Sequence, residues 1–125
     1  MVLTKINPQQ GEIWLFDPDP VKGTEIGKKI RPALIISCDE LNSGRSGLVI
    51  AIPLTSKYKG IASHVKLEPP EGGVSVQSFV VCEQIRSITK ERLIKRMGKI
   101  KNPSILREIH SWIMDLIWLE DSHRA

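Results

Sequence analysis

The longest purely apolar run in the chain is Leu48–Ile52, and it ends at Pro53. That single limit excludes most architectures. A bilayer-spanning helix needs roughly 20 apolar residues, so no membrane span is expected. Short apolar runs closed by Pro, Gly or polar clusters are instead the pattern of β-strands. Ile13–Phe16 follows a glycine and stops at Asp17-Pro18-Asp19-Pro20, where the prolines cannot continue a ladder. Ala33–Ile36 and Leu48–Ile52 are continuous apolar runs, as expected of strands buried on both faces. Ile61, Ser63, Val65 and Leu67 alternate with Ala62, His64 and Lys66, which predicts a half-buried strand, and Pro69–Gly73 reads as a turn. Ser78–Cys82, Gln84–Ile88 and Leu93–Lys99 are further strands, and Asp39–Gly44 suits one helical turn and a loop.

The end of the chain changes period. Asn102-Pro103 sets a capping residue before a proline at the first helical position. Ile105, Leu106, Ile109, Trp112, Ile113, Leu116 and Ile117 then recur at helical spacing, predicting an amphipathic helix to about Leu119. Met114 and Trp118 fall outside even this wide apolar arc. The surplus points to an intermolecular surface, read as a homodimer interface. With 125 residues, 41% of them hydrophobic and 26% charged, the chain has the size and balance of one globular domain spanning residues 1–125. Its first residues carry neither the charged start nor the apolar stretch of a signal peptide, so the cytoplasm is the expected location.

Charge is unevenly placed. Arg86–Arg107 holds eight basic residues and one acid, against a whole-chain net charge of +4. Lys22, Lys28, Lys29 and Arg31 form a second basic cluster around Glu25. Such clusters attract polyanions or merely solvate a face. Other chemistry is sparse. Cys38 and Cys82 lie far apart and outside any CxxC pair, which predicts buried hydrophobes and no zinc site. His64 is expected as an exposed strand residue and His110 as a half-buried packing residue. No metal or cofactor is expected.

The long loop after the first strand, Asp17 to Pro32, carries two glycines, several cations and a carboxylate, a composition suited to a phosphate backbone. Five blocks then occur in a characteristic order: Gly11-Glu12-Ile13-Trp14, Lys22-Gly23-Thr24-Glu25, Arg31-Pro32-Ala33, Pro53-Leu54-Thr55 and Glu83-Gln84-Ile85-Arg86. With the terminal helix they cover residues 10 to 119, and in this the chain resembles the MazF/PemK family of toxin endoribonucleases. The resemblance implies a mainly β fold, a small SH3-like barrel with a C-terminal α-helix. It further implies a homodimer, a cognate antitoxin that covers the RNA groove, and metal-independent cleavage of single-stranded RNA. It assigns the catalytic roles to Arg31, Thr55 and Glu25.

Cleavage without a metal has the ribose 2′-hydroxyl attack the adjacent phosphorus, leaving a 2′,3′-cyclic phosphate and a 5′-hydroxyl. The reaction needs a proton acceptor, charge stabilisation on the phosphorane and a proton donor. Arg31 suits charge stabilisation, since its fork holds two phosphate oxygens and its reference pKa exceeds about 12. Thr55 suits hydrogen bonding to phosphate or nucleophile, and Glu25 suits the base. Lys28, Lys29 and Lys57 are the candidates for tracking the RNA backbone. The alternative is a non-catalytic, CcdB-like toxin of the same fold that poisons DNA gyrase and has no need of an Arg31–Thr55 pair.

Overall fold

The computed structural model describes residues 7–18 and 30–118. It contains strands β1 (Glu12–Phe16), β2 (Arg31–Ile35), β3 (Leu48–Thr55), β4 (His64–Leu67), β5 (Ser78–Val81), β6 (Arg86–Thr89) and β7 (Leu93–Lys99). A short helix α1 (Asp39–Asn42) follows β2, and α2 (Pro103–Ile117) ends the described chain. The strands form a seven-stranded sheet in the order β4-β5-β3-β2-β1-β7, with β6 also paired to β3. Every pairing is antiparallel. The fold is mainly β with a C-terminal helix, as the short apolar runs and the late change of period predict.

Period-two alternation divides the central strands between two cores. Leu34, Ile36, Ile52 and Leu54 join Ile13, Val65, Val80 and Ile109 in one cluster. Ala33, Ile35, Val49 and Ala51 join Phe16, Ile88 and Leu93 in the other. A strand that feeds both cores must be apolar at nearly every position, which explains the unbroken runs.

β3 is the pivot. One edge pairs with β2, while the other is shared by β6 (Leu48–Ala51) and β5 (Leu54 and Thr55). Between Ala51↔Arg86 and Leu54↔Val80 the partner strand advances twice as far as β3, so it carries three extra residues. They are taken up by a 3-10 turn at Cys82–Gln84, where the sequence pattern predicts strand. Pro53 falls in this gap between ladders, where its missing N–H is least costly.

Glycine lets a second turn close on the sheet. Gly73, at φ +83°, lies so near β7 that a Cβ there would overlap the Met97 carbonyl. The neighbouring Glu71 carboxylate accepts the N–H groups of Lys101 (2.5 Å) and Asn102 (2.9 Å), tying this turn to the start of α2. Asn102 caps the helix by accepting the Ser104 N–H at 2.9 Å, and Pro103 follows at the first position.

Ile109 is fully buried, and Ile105, Leu106, Trp112 and Ile113 pack partly against the core. Leu116 and Ile117, predicted on the same stripe, are instead exposed together with Met114 and Trp118. The last helical turn has run past the sheet that would cover it. Leu119 lies outside the described residues. No helix among the described residues is long and apolar enough to cross a membrane.

Several local expectations are corrected. β4 starts at His64 and not Ile61, because the His64 N–H turns back to the Ile61 carbonyl at 3.0 Å and leaves Ile61 exposed. Cys82 is buried as expected, but Cys38 is exposed at the entry to α1. His110 is exposed on α2, one residue beyond the buried Ile109. His64 has a side chain only 5% exposed, held by Glu83.

Candidate functional site

The groove lies where β2, β3, β5 and β6 meet. Arg31 opens β2 and faces Phe16 across the ladder to β1. The β2–β3 register, Ala33↔Pro53 and Leu34↔Ile52, sets Arg31 level with Thr55 when carried two residues further. Thr55 in turn pairs with Phe79. From the other edge of β3, Arg86 opens β6 opposite Ala51. Two residues distant in sequence thus become neighbours on adjacent strands, and a third arrives from the far edge.

Together these residues line a groove of about 890 Å3, walled also by Pro18, Ile30, Ser56, Lys57, Val76 and Ser78. Among the described residues its lining holds three cations, Arg31, Lys57 and Arg86, and no carboxylate. The side chains of all three are without a hydrogen bond or ion pair among the described residues. Their charge is therefore available to a ligand. The Thr55 Oγ1 accepts the Lys57 N–H at 3.2 Å, which leaves its own O–H free to donate into the groove.

Of the residues predicted for the site, the structure brings together Arg31, Thr55 and Lys57. Glu25, Lys28 and Lys29 lie outside the described residues. The chain on either side of that segment, Pro18 and Ile30, lines the groove. Arg86 and Ser78 were not predicted. The signal for Arg86 was present, since it closes the fifth sequence block, but it was submerged in the basic stretch that follows.

Much of that stretch serves the fold. The Arg96 Nε donates to Glu12 Oε2 at 2.8 Å, the Lys90 Nζ to the Asn42 carbonyl at 2.8 Å, and the Arg92 guanidinium to the Pro18 carbonyl at 2.6 Å. The last contact steadies the groove wall.

The first and fifth blocks prove to be carboxylate clamps. Glu12, only 7% exposed, accepts the Gln9 N–H (2.8 Å), the Trp14 indole N–H (2.9 Å) and Arg96. Burial pushes its carboxyl up, but these donors outweigh burial and hold it below the ordinary carboxylate range. Glu83 accepts the Ser63 O–H at 2.5 Å and the His64 Nε2–H at 2.7 Å. It too lies below its ordinary value: burial raises it, and the bonds from Ser63 and His64 more than compensate. Burial pushes the Cys82 thiol up to about 12, with Glu83 and Glu108 adding to the effect, so it is no nucleophile at neutral pH. Among the described residues no group of three or more His, Cys, Asp or Glu side chains is placed to hold a metal ion.

Fold and groove together define a small antiparallel β protein with a groove lined by three cations and the Thr55 hydroxyl among its described residues. Comparison with known proteins is specific. Residues 9–117 match the family described as PemK-like, MazF-like toxin of type II toxin-antitoxin system. Endoribonuclease MazF9 of Mycobacterium tuberculosis is 37% identical over 98 residues, covering 74% of this chain and 81% of that protein. Endoribonuclease MazF of Staphylococcus saprophyticus is 31% identical over 121 residues, covering 94% and 98%. A crystal structure of MazE–MazF from Deinococcus radiodurans aligns with a TM-score of 0.71 and 27% identity, over 93% of this chain and all of that one. The chain belongs to the PemK-like, MazF-like toxin family. Since both curated relatives are named endoribonucleases, the gyrase-poison alternative is set aside.

Proposed function

We propose that this protein is the toxin of a type II toxin–antitoxin pair and a metal-independent, sequence-specific endoribonuclease acting on single-stranded RNA. The observation that carries the proposal is the convergence of Arg31 and Thr55 in one groove, lined also by Lys57 and Arg86. Arg31 receives the scissile phosphate, its planar fork spanning two non-bridging oxygens as negative charge builds on the phosphorane. Thr55 donates its free O–H to the same group. The 2′-oxygen forms the new bond to phosphorus as its proton goes to a base, the P–O5′ bond breaks, and the departing 5′-oxygen takes a proton from solvent to become the 5′-hydroxyl. Glu25 takes that role on pKa grounds and by family resemblance. Lys57 and Arg86 hold flanking phosphates, and Lys28 and Lys29 extend the backbone contact.

Two partners belong to the proposal. A cognate antitoxin is supported by the MazE–MazF structure of the Deinococcus relative. A homodimer is supported by the exposed Met114, Leu116, Ile117 and Trp118 on the last turn of α2 and just beyond it.

The test is incubation of purified protein with single-stranded RNA, with and without EDTA, followed by analysis of the product ends. Cleavage undiminished by EDTA, leaving a 2′,3′-cyclic phosphate and a 5′-hydroxyl, is expected. A strict Mg2+ requirement would overturn the mechanism, and binding without cleavage would reduce the protein to an RNA-binding module.

A further inference from the structure

Arg86 enters the groove by an unusual route. Between β5 and β6 the chain leaves the ladder for the Cys82–Gln84 turn, then resumes pairing at Arg86↔Ala51. Side chains alternate along a strand, so a one-residue error in this excursion would turn Arg86 to the opposite face and present Ser87 in its place. The buried Ile88 favours the native register further along β6, but the excursion itself has no ladder to hold it, because β3 has no partner on that edge between Ala51 and Leu54. The backbone of the turn is held by two long bonds, Cys82 N–H to the Ser63 carbonyl and Ile85 N–H to the Cys82 carbonyl, both 3.3 Å.

The side chain at the middle of the turn supplies what the backbone lacks. Glu83 reaches across to β4 and the residue before it, accepting the Ser63 O–H on one oxygen and the His64 Nε2–H on the other. Two bonds to two oxygens fix the carboxylate in position and orientation. The His64 ring is committed to this contact at a cost: its Nδ1 is buried without a hydrogen-bond partner. An apolar residue at position 64 would avoid that cost and still pack. The burial of a half-satisfied ring is explained if its purpose is to grip Glu83.

We propose that Ser63, Glu83 and His64 form a clasp that sets the phase of the β5–β6 excursion and so positions Arg86 in the groove, making Glu83 a positioning residue for RNA binding. The inference rests on the endoribonuclease reading for its consequence, and on geometry alone for its structural content. Glu83 touches no substrate. It acts three residues along the chain, through Arg86.

The test is a double-mutant cycle read by steady-state cleavage of a short RNA. Arg86→Ala is expected to raise KM about tenfold or more with a smaller change in kcat, since it removes a flanking phosphate contact. Glu83→Ala is expected to raise KM by a similar factor, and the double variant to be no worse than Arg86→Ala alone. Glu83→Ala combined with Lys57→Ala should instead multiply the separate losses. Ser63→Ala, which keeps one arm of the clasp, should fall between wild type and Glu83→Ala. Backbone 15N relaxation provides a readout free of activity: order parameters of Gln84–Ser87 should fall in Glu83→Ala while those of β1 and β2 hold. Multiplicative losses in the Glu83–Arg86 pair, or unchanged relaxation at Gln84–Ser87, would overturn the proposal. Wild-type protein that cleaves no RNA would remove the function proposed above, and the relaxation data would still decide whether Glu83 holds the segment.

Discussion

Arg31 is exposed, unpaired among the described residues, and anchored only through its backbone in β2. A guanidinium so placed stabilises a ligand's charge without also supporting the fold. Arg31→Ala is therefore expected to leave the unfolding midpoint unchanged and lower kcat about 100- to 1000-fold, the usual loss for a single transition-state donor. Single-turnover cleavage with a thermal melt on the same sample checks both halves. Glu12 is the opposite case. Its carboxylate satisfies the Gln9 and Trp14 N–H groups and neutralises Arg96, so Glu12→Ala strands all three. A loss of about 2–3 kcal/mol is expected, measured by urea unfolding.

At the scale of elements, the two carboxylate clamps join parts that lie far apart in sequence: β1 to β7 through Glu12, and the Cys82–Gln84 turn to β4 through Glu83. Both carboxyls lie below the ordinary glutamate value of 4.5 in the folded protein. Their contribution to stability is present above that value and is lost as pH falls through the lower folded values. The urea midpoint should therefore drop as pH is lowered past the ordinary value of 4.5, and Glu12→Gln should shrink the drop. The last turn of α2 makes the other element-scale prediction. Leu116 and Ile117 are 46% and 66% exposed, and Trp118 beside them 58%. Replacing Ile117 with Glu should convert the proposed dimer to monomer in sedimentation equilibrium, while the helix keeps its Ile109 anchor.

For the whole molecule, the groove concentrates three cations, unpaired among the described residues, in a chain whose net charge is only +4. If each neutralises one phosphate, the logarithm of RNA affinity should fall against the logarithm of salt concentration with a slope of about −2. Lys57→Ala should reduce that slope by about 0.7. Filter binding of a 2′-O-methyl RNA across a salt series measures both. A slope unchanged in Lys57→Ala would remove that lysine from the RNA path.

The elements were legible because they follow from local rules. Apolar runs too short for a helix become strands, Asn102-Pro103 starts a helix, and Pro and Gly mark where ladders stop. Five short blocks sufficed for the family resemblance, and with it for Arg31 and Thr55. What each block does was not legible. Gly11–Trp14 and Glu83–Arg86 read as recognition marks, yet Glu12 and Glu83 bind other parts of the chain, and only Arg86 of the second block reaches the groove. The burial of His64, the exposure of Cys38 and the bare last turn of α2 were equally out of reach. Each depends on which element packs above it, and such a contact is made between residues tens of positions apart. Sequence periodicity reports which way a side chain points along its own element; what stands opposite is set when the strands pair.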